Sequence, residues 1–121
     1  MNTLKNKVNL MGRLGANPET QTFDSGSCLT KFSLATNESY KDKNGEWKEI
    51  TQWHTINAWG KIAEVISKKL SKGQKISLEG RIVYKTYETE NGEKRQTTVI
   101  DLKEFLLLKE VELINKTHIQ N

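Results

Sequence analysis

The run WHTINAW, residues 53–59, places two of the chain's three tryptophans six positions apart, with His54, Thr55 and Asn57 between them. Indole rings can stack on flat ligands, and an imidazole can move protons or hold a metal, but the two uses need different company. The company for catalysis is missing from the sequence. There is no glycine-rich phosphate loop, no His-x-x-x-His pair and no serine nucleophile elbow. Glu46, Glu49, Glu88, Glu90 and Glu93 gather near hairpin-tip sequences, where charge is usually solvated and a metal is poorly fixed. The single cysteine, Cys28, excludes an intrachain disulfide and a cysteine-rich zinc site, and it reads as a small buried residue in a reducing compartment. His118 sits in a polar tail. The expectation is a protein that is not an enzyme and uses no cofactor or metal, in which Trp53 and Trp59 serve binding.

The chain as a whole agrees. At 121 residues it has room for one domain and one core. Its 19 basic and 15 acidic residues give a formal charge of +4, a mild pull toward polyanions. The opening MNTLKNKVNLMGRLG has no continuous apolar segment, so no signal peptide is expected. The longest apolar run is FLLL at 105–108, far short of the ~20 residues of a membrane span, so a cytoplasmic protein without a membrane partner is expected.

The elements that must position the aromatics follow from periodicity. Val8, Leu10, Gly12 and Leu14 alternate with Lys7, Asn9, Met11 and Arg13. Cys28, Thr30, Phe32 and Leu34 share a face opposite Lys31 and Ser33. Ile76, Leu78, Ile82 and Tyr84 alternate with Lys75, Ser77, Glu79, Arg81, Val83 and Lys85, and Thr98, Ile100 and Leu102 with Thr97, Val99, Asp101 and Lys103. A period of two is the mark of half-buried strands. One segment departs from it. In GKIAEVISKKLSKG (60–73), Ile62, Val65, Ile66 and Leu70 fall at helical spacing, Lys68, Lys69 and Lys72 favour the C-terminal end, and Gly73 can stop the helix. The outline is strands, one helix, then strands, with no linker and no internal repeat.

Turn chemistry sets the strand registers. KNG (43–45) and ENG (90–92) read as hairpin tips. A two-residue Asn-Gly turn at the second tip would set Ile82 opposite Asp101, a residue of the other face. A three-residue loop pairs Ile82 with Ile100 and Tyr84 with Thr98, so that facing residues belong to the same side of the sheet. The same loop at Lys43-Asn44-Gly45 pairs Phe32 with Ile56 and puts Gly third, where a left-handed residue is wanted. Ile56 and Ala58 then face the core. Trp53, Thr55, Asn57 and Trp59 point the other way, and the two indoles lie roughly 20 Å apart along the strand. His54 pairs with Leu34 and turns inward or toward a subunit contact.

A tryptophan in a small domain is commonly buried in a core or an oligomer interface. Parity favours the alternative, because the noncore face also carries Arg81, Lys85 and Tyr87, with Tyr87 beside Arg95. Rings interleaved with cations suit a single-stranded nucleic acid, whose bases stack while Lys and Arg neutralise phosphates. Arg81 opposite Asp101 is equally well a cross-strand ion pair. The polar hairpin 37–52, with Tyr40 and Trp47, is either a solvated loop with incidental aromatics or an arm that wraps a strand. Parity does not put Tyr40 on the face of Trp53 unless the ribbon twists or bulges.

VNLMGRLGANPE (8–19), FSLATNESYKDKNGEWKE (32–49), TQWHTINAWGKIAEVISKKLSKGQKISLEGRI (51–82) and TTVID (97–101) together resemble the bacterial single-stranded DNA-binding proteins, collinearly over about residues 4–108. The resemblance implies an all-β OB-fold, a five-stranded Greek-key barrel with one α-helix between strands three and four, over residues 1–109, followed by a short polar tail at 110–121. It also implies a homotetramer that binds single-stranded DNA in replication, recombination and repair. Carried over by motif, the stacking positions are Tyr40, Trp53, Trp59 and Tyr87, and His54 falls at the subunit interface. Candidates for phosphate contacts are Lys7, Arg13, Lys31, Lys41, Lys43, Lys48, Lys61, Lys72, Arg81, Lys85 and Arg95. Members of the family usually end in an acidic, Phe-terminated tip that recruits partner enzymes. This chain ends in KEVELINKTHIQN, so tail-mediated recruitment of replication and repair partners is not expected of it. Three other readings compete: an RNA-binding or primosomal OB module, an OB-fold nuclease, and a protein-binding oligomer with its tryptophans buried between subunits.

Overall fold

The computed structural model describes residues 5–108, and the tail boundary expected at 109 and 110 lies outside them. Six strands and one helix follow in the order β1 (Val8–Leu14), β2 (Glu19–Thr22), β3 (Cys28–Lys41), β4 (Trp47–Trp59), α1 (Lys61–Lys69), β5 (Lys75–Glu88) and β6 (Lys94–Leu108). The sheet order is β1-β5-β6-β4-β3-β2, and a further pairing of β1 with β3 closes five of the strands into a barrel. Among those five, the helix falls between the third and the fourth, as expected. The sixth strand, β2, pairs with β3 alone and is exposed throughout. Its sequence, ETQT, has no apolar alternation, and no strand is expected there on periodicity.

Both hairpin registers follow the three-residue loops. Phe32 faces Ile56, Ile82 faces Ile100, and Tyr87 faces Arg95. Gly45 and Gly92 each have φ of 81°, which an L side chain rarely adopts. The barrel interior is filled by Leu14, Phe32, Leu34, Ile56, Ala58, Ile76, Leu78, Ile100 and Leu102, together with Ala63, Ile66 and Leu70 from the helical segment. Thr30 is fully buried and donates its hydroxyl to the Ala63 carbonyl at 2.9 Å, tying the helix to β3. The helix is shorter than its sequence pattern. Leu70 is already extended, and Gly73 belongs to the turn into β5. Ala63 faces inward, whereas Val65 is 39% exposed.

Two departures from alternation shape the outer surface. First, β1 leaves β5 at Gly80 and β4 leaves β6 at Ile100, so β5 and β6 run on beyond Ile82 and Ile100 as a two-stranded ribbon. Tyr84, expected among the core residues, is therefore 62% exposed, because no third strand or helix covers that part of the ribbon. Second, a β-bulge between Glu79 and Gly80 sets Glu79 against Glu104 but Gly80 against Leu102, so one extra residue, Lys103, enters β6. The inward parity of β6 switches there from Ile100 and Leu102 to Phe105 and Leu107.

Candidate nucleic-acid interface

Trp53 and Trp59 stand on the outer side of β4, opposite Ile56 and Ala58, which are fully buried. Trp53 is 62% exposed, and its indole lies over the backbone at Gly15. A Cβ at position 15 would come within 2.5 Å of Trp53 Cζ3 and 3.1 Å of Ser33 Oγ, so the glycine leaves the ring its seat. Trp59 is 42% exposed and more closely held. Phe23, from the turn between β2 and β3, stacks on it with centroids 6.1 Å apart and planes at 22°. Lys85 Nζ lies 5.6 Å from the Trp59 ring centroid. The ring is thus supported by one aromatic and faced by one cation.

The expected company of Asn57 changes its role. Parity puts it on the outer side, yet it is only 3% exposed, and the open position expected for it is corrected accordingly. It is the Cα partner of Lys31 on β3 and of Asp101 on β6, and Asp101 is the partner of Arg81 on β5. Lys31, Asn57, Asp101 and Arg81 therefore form one row across four strands, with Asn57 on β4 between β3 and β6. Arg81 Nη2 reaches Asp101 Oδ2 at 3.6 Å, the ion pair that competed with a phosphate role in the sequence.

The remaining cations divide by what already neutralises them. Lys7 lies 3.5 Å from Glu79, which also meets Lys103 at 3.6 Å. Lys48 is 3.6 Å from Glu46, and Arg95 is 3.0 Å from Glu93. Arg13 donates to the Gly73 carbonyl at 2.9 Å. Lys41 Nζ sits 5.7 Å from the Trp47 ring centroid. Lys31, Lys43, Lys61 and Lys72 are exposed and form no ion pair among the described residues. Of the phosphate candidates, these four have no ion-pair, carbonyl or ring partner among the described residues, whereas Lys85, like Lys41, faces an indole.

A model of the single-strand binding protein family matches residues 5–108, all of the described residues. The chain belongs to that family. It is 42% identical over 96 residues to single-stranded DNA-binding protein 1 of Chlorobaculum tepidum, covering 78% of this chain and 59% of that protein. It is 40% identical over 103 residues to the single-stranded DNA-binding protein of Neisseria meningitidis, covering 85% of this chain and 59% of that one. The chain thus spans about three fifths of the length of the curated relatives it matches. Among solved structures, the Plasmodium falciparum SSB in complex with ssDNA superposes with a TM-score of 0.82 at 34% identity, covering 90% of this chain and 100% of that one. A deletion mutant of the single-stranded DNA-binding protein of Thermus aquaticus gives a TM-score of 0.78 at 30% identity, covering 86% and 50%.

For a single-strand binding protein the distribution of the expected site residues is informative. Trp53 and Trp59 lie on β4 and Lys85 and Tyr87 on β5, with β6 between the two strands, and Tyr87 is 50% exposed. Tyr40, 51% exposed, is on the other side of the β3–β4 ribbon from Trp53, because the register runs without a shift from Leu29↔Trp59 to Lys41↔Trp47. His54 is half-buried on the core-side parity, with Nε2 2.9 Å from Thr36 Oγ1. Sequence reasoning passed over Phe23, whose only signal is its place before the turn DSG, and over the contact it makes with Trp59. No group of three or more potential metal ligands occurs among the described residues, and none of their helices is long and apolar enough to cross a membrane.

Proposed function

We propose that this chain binds single-stranded DNA with little sequence preference and protects it during replication, recombination and repair, without catalysis. The observation that carries the reading is the outer side of β4, where a strand inside a packed barrel shows two indoles to solvent beside Lys85. Such rings offer π-faces that any base can cover, which is why stacking tolerates sequence. Bases stack on Trp53, Trp59 and Tyr87, and on Tyr40 where the strand crosses to the other side of the ribbon. Lys31, Lys43, Lys61 and Lys72 meet phosphates first, with Lys41 and Lys85, which each face an indole, beside them; the other candidates are already engaged with carboxylates or a carbonyl. The working unit is a homotetramer in the cytoplasm, with His54 at a subunit contact.

The decisive experiment is titration of intrinsic fluorescence with oligo-dT, followed by competition with RNA and duplex DNA. Strong quenching and preference for single-stranded DNA are expected. Unquenched tryptophans would return the reading to rings buried between subunits, and preference for RNA to an RNA-binding OB module. Increasing salt weakens the complex through the phosphate contacts, with a slope of about −0.7 in log K per neutralised phosphate on a single strand.

A further inference from the structure

All three tryptophans of the chain lie on β4, at positions 47, 53 and 59. The β3–β4 register has no irregularity, so residues of equal parity keep to one side of the ribbon over its length. Trp47, Trp53 and Trp59 therefore share a side and follow one another at intervals of roughly 20 Å. Their exposure rises outward from 42% at Trp59 through 62% at Trp53 to 69% at Trp47.

The outermost ring is built into its place. Trp47 is the Cα partner of Lys41, whose ammonium stands 5.7 Å from the ring centroid. That repeats the pairing of Trp59 with Lys85 at 5.6 Å. The turn beside it is held by Asp42, whose Oδ1 accepts from the backbone N–H of Asn44 and of Glu46, each at 2.9 Å. The Asp42 N–H in turn donates to the Glu46 carbonyl at 2.8 Å. Midway to Trp53, Thr51 donates to Asn37 Oδ1 at 2.8 Å across the same side of the ribbon. Tyr40, the hairpin's other aromatic, pairs with Lys48 and faces the opposite way.

We propose that Trp47, with Lys41 beside it, is a third base-stacking station on β4, at the far end of a path that runs from Trp59 through Trp53 for a single-stranded nucleic acid. The inference rests on the stacking reading of Trp53 and Trp59 and extends it. A strand long enough to follow β4 meets the indole of Trp47, and its adjacent phosphate meets Lys41, whose charge is directed at the ring rather than at a carboxylate. The affinity contributed by this station depends on length, because a short oligonucleotide seated on the barrel does not reach the hairpin tip.

The test compares oligo-dT of about 8 and about 30 nucleotides, the first within and the second above the ~4–16 nucleotides that one OB-fold typically covers. Binding is measured at a salt concentration where both affinities are finite, on the wild type and on Trp47→Ala, Trp47→Phe and Trp53→Ala. A Trp53→Phe/Trp59→Phe variant leaves Trp47 as the sole indole reporter. The longer oligonucleotide is expected to quench Trp47 and to bind Trp47→Ala about 5-fold or more weakly, the lower end of one stacked base. The shorter one is expected to bind Trp47→Ala as it binds the wild type, and Trp47→Phe to recover most of the loss. Unchanged affinity for the longer oligonucleotide overturns the proposal, whether or not Trp47 is quenched, provided that Trp53→Ala is weakened. An equal loss at both lengths overturns the placement at the end of the path. Normal binding by Trp53→Ala would instead overturn the stacking reading itself.

Discussion

Truncating the two barrel tryptophans separates binding from stability in opposite orders. A base stacked on an aromatic contributes about 1–3 kcal/mol, so Trp53→Ala is expected to weaken oligo-dT binding about 5- to 150-fold. Trp53 offers 62% of its surface, with no cation or aromatic partner on its ring among the described residues. At Trp59 a base must displace Lys85 from the ring, and an exposed cation–π contact is worth about 0.5–1 kcal/mol. The net loss in Trp59→Ala is smaller by that amount, so its affinity stays about 2- to 5-fold above that of Trp53→Ala. Stability runs the other way. Trp59→Ala forfeits the Phe23 stack, about 0.5–1.5 kcal/mol beyond area burial, whereas Trp53→Ala breaks no ring pair. In a domain this size about 1 kcal/mol moves Tm by ~4–8 °C, so Trp59→Ala should melt several degrees below Trp53→Ala. Parallel titrations with oligo-dT and thermal melts by circular dichroism measure both orders. If Trp59→Ala binds more weakly while melting no lower, the assignment of Phe23 and Lys85 to that ring is refuted. If Trp53→Ala unfolds the chain, its outward placement is refuted.

The other expectations are quickly stated. Gly15→Ala puts a methyl 2.5 Å from Trp53 Cζ3, so the indole lifts from its seat; the fluorescence maximum should shift and affinity fall, with a melt within a few degrees of wild type, whereas an unchanged spectrum would refute the contact. Arg81→Gln strips the partner from Asp101, whose side chain keeps a fifth of its exposure; because Arg81 is itself largely exposed, it should cost about 0.2–1 kcal/mol by urea unfolding and change the salt slope of DNA binding by much less than Lys61→Gln. His54→Tyr removes the 2.9 Å contact with Thr36 and adds bulk at the proposed subunit contact, so sedimentation at micromolar concentration should show smaller species than the wild type.

The residue pattern by itself determined the five barrel strands, the helix between the third and fourth of them and both hairpin registers, but not β2. These rest on local physics: a period of two, a period near four, and a glycine at the third loop position where φ is positive. Register then sorted Trp53 and Trp59 to the outer side, because a one-residue slip would have buried them. Tertiary structure decided the rest. Tyr84 is exposed because β1 stops at Gly80, and a strand's own alternation does not say where its neighbour ends. Asn57 is buried where β4 is flanked by both β3 and β6, its pairing partners Lys31 and Asp101 lying 26 and 44 residues away in sequence. The bulge at Glu79/Gly80 turns Phe105 and Leu107 inward, against the parity set by Ile100 and Leu102. Which lysines remain free for phosphates depends on carboxylates brought alongside by the fold, as Glu79 is to Lys7. Composition gives the number of charges, but only folding determines which of them are already neutralised.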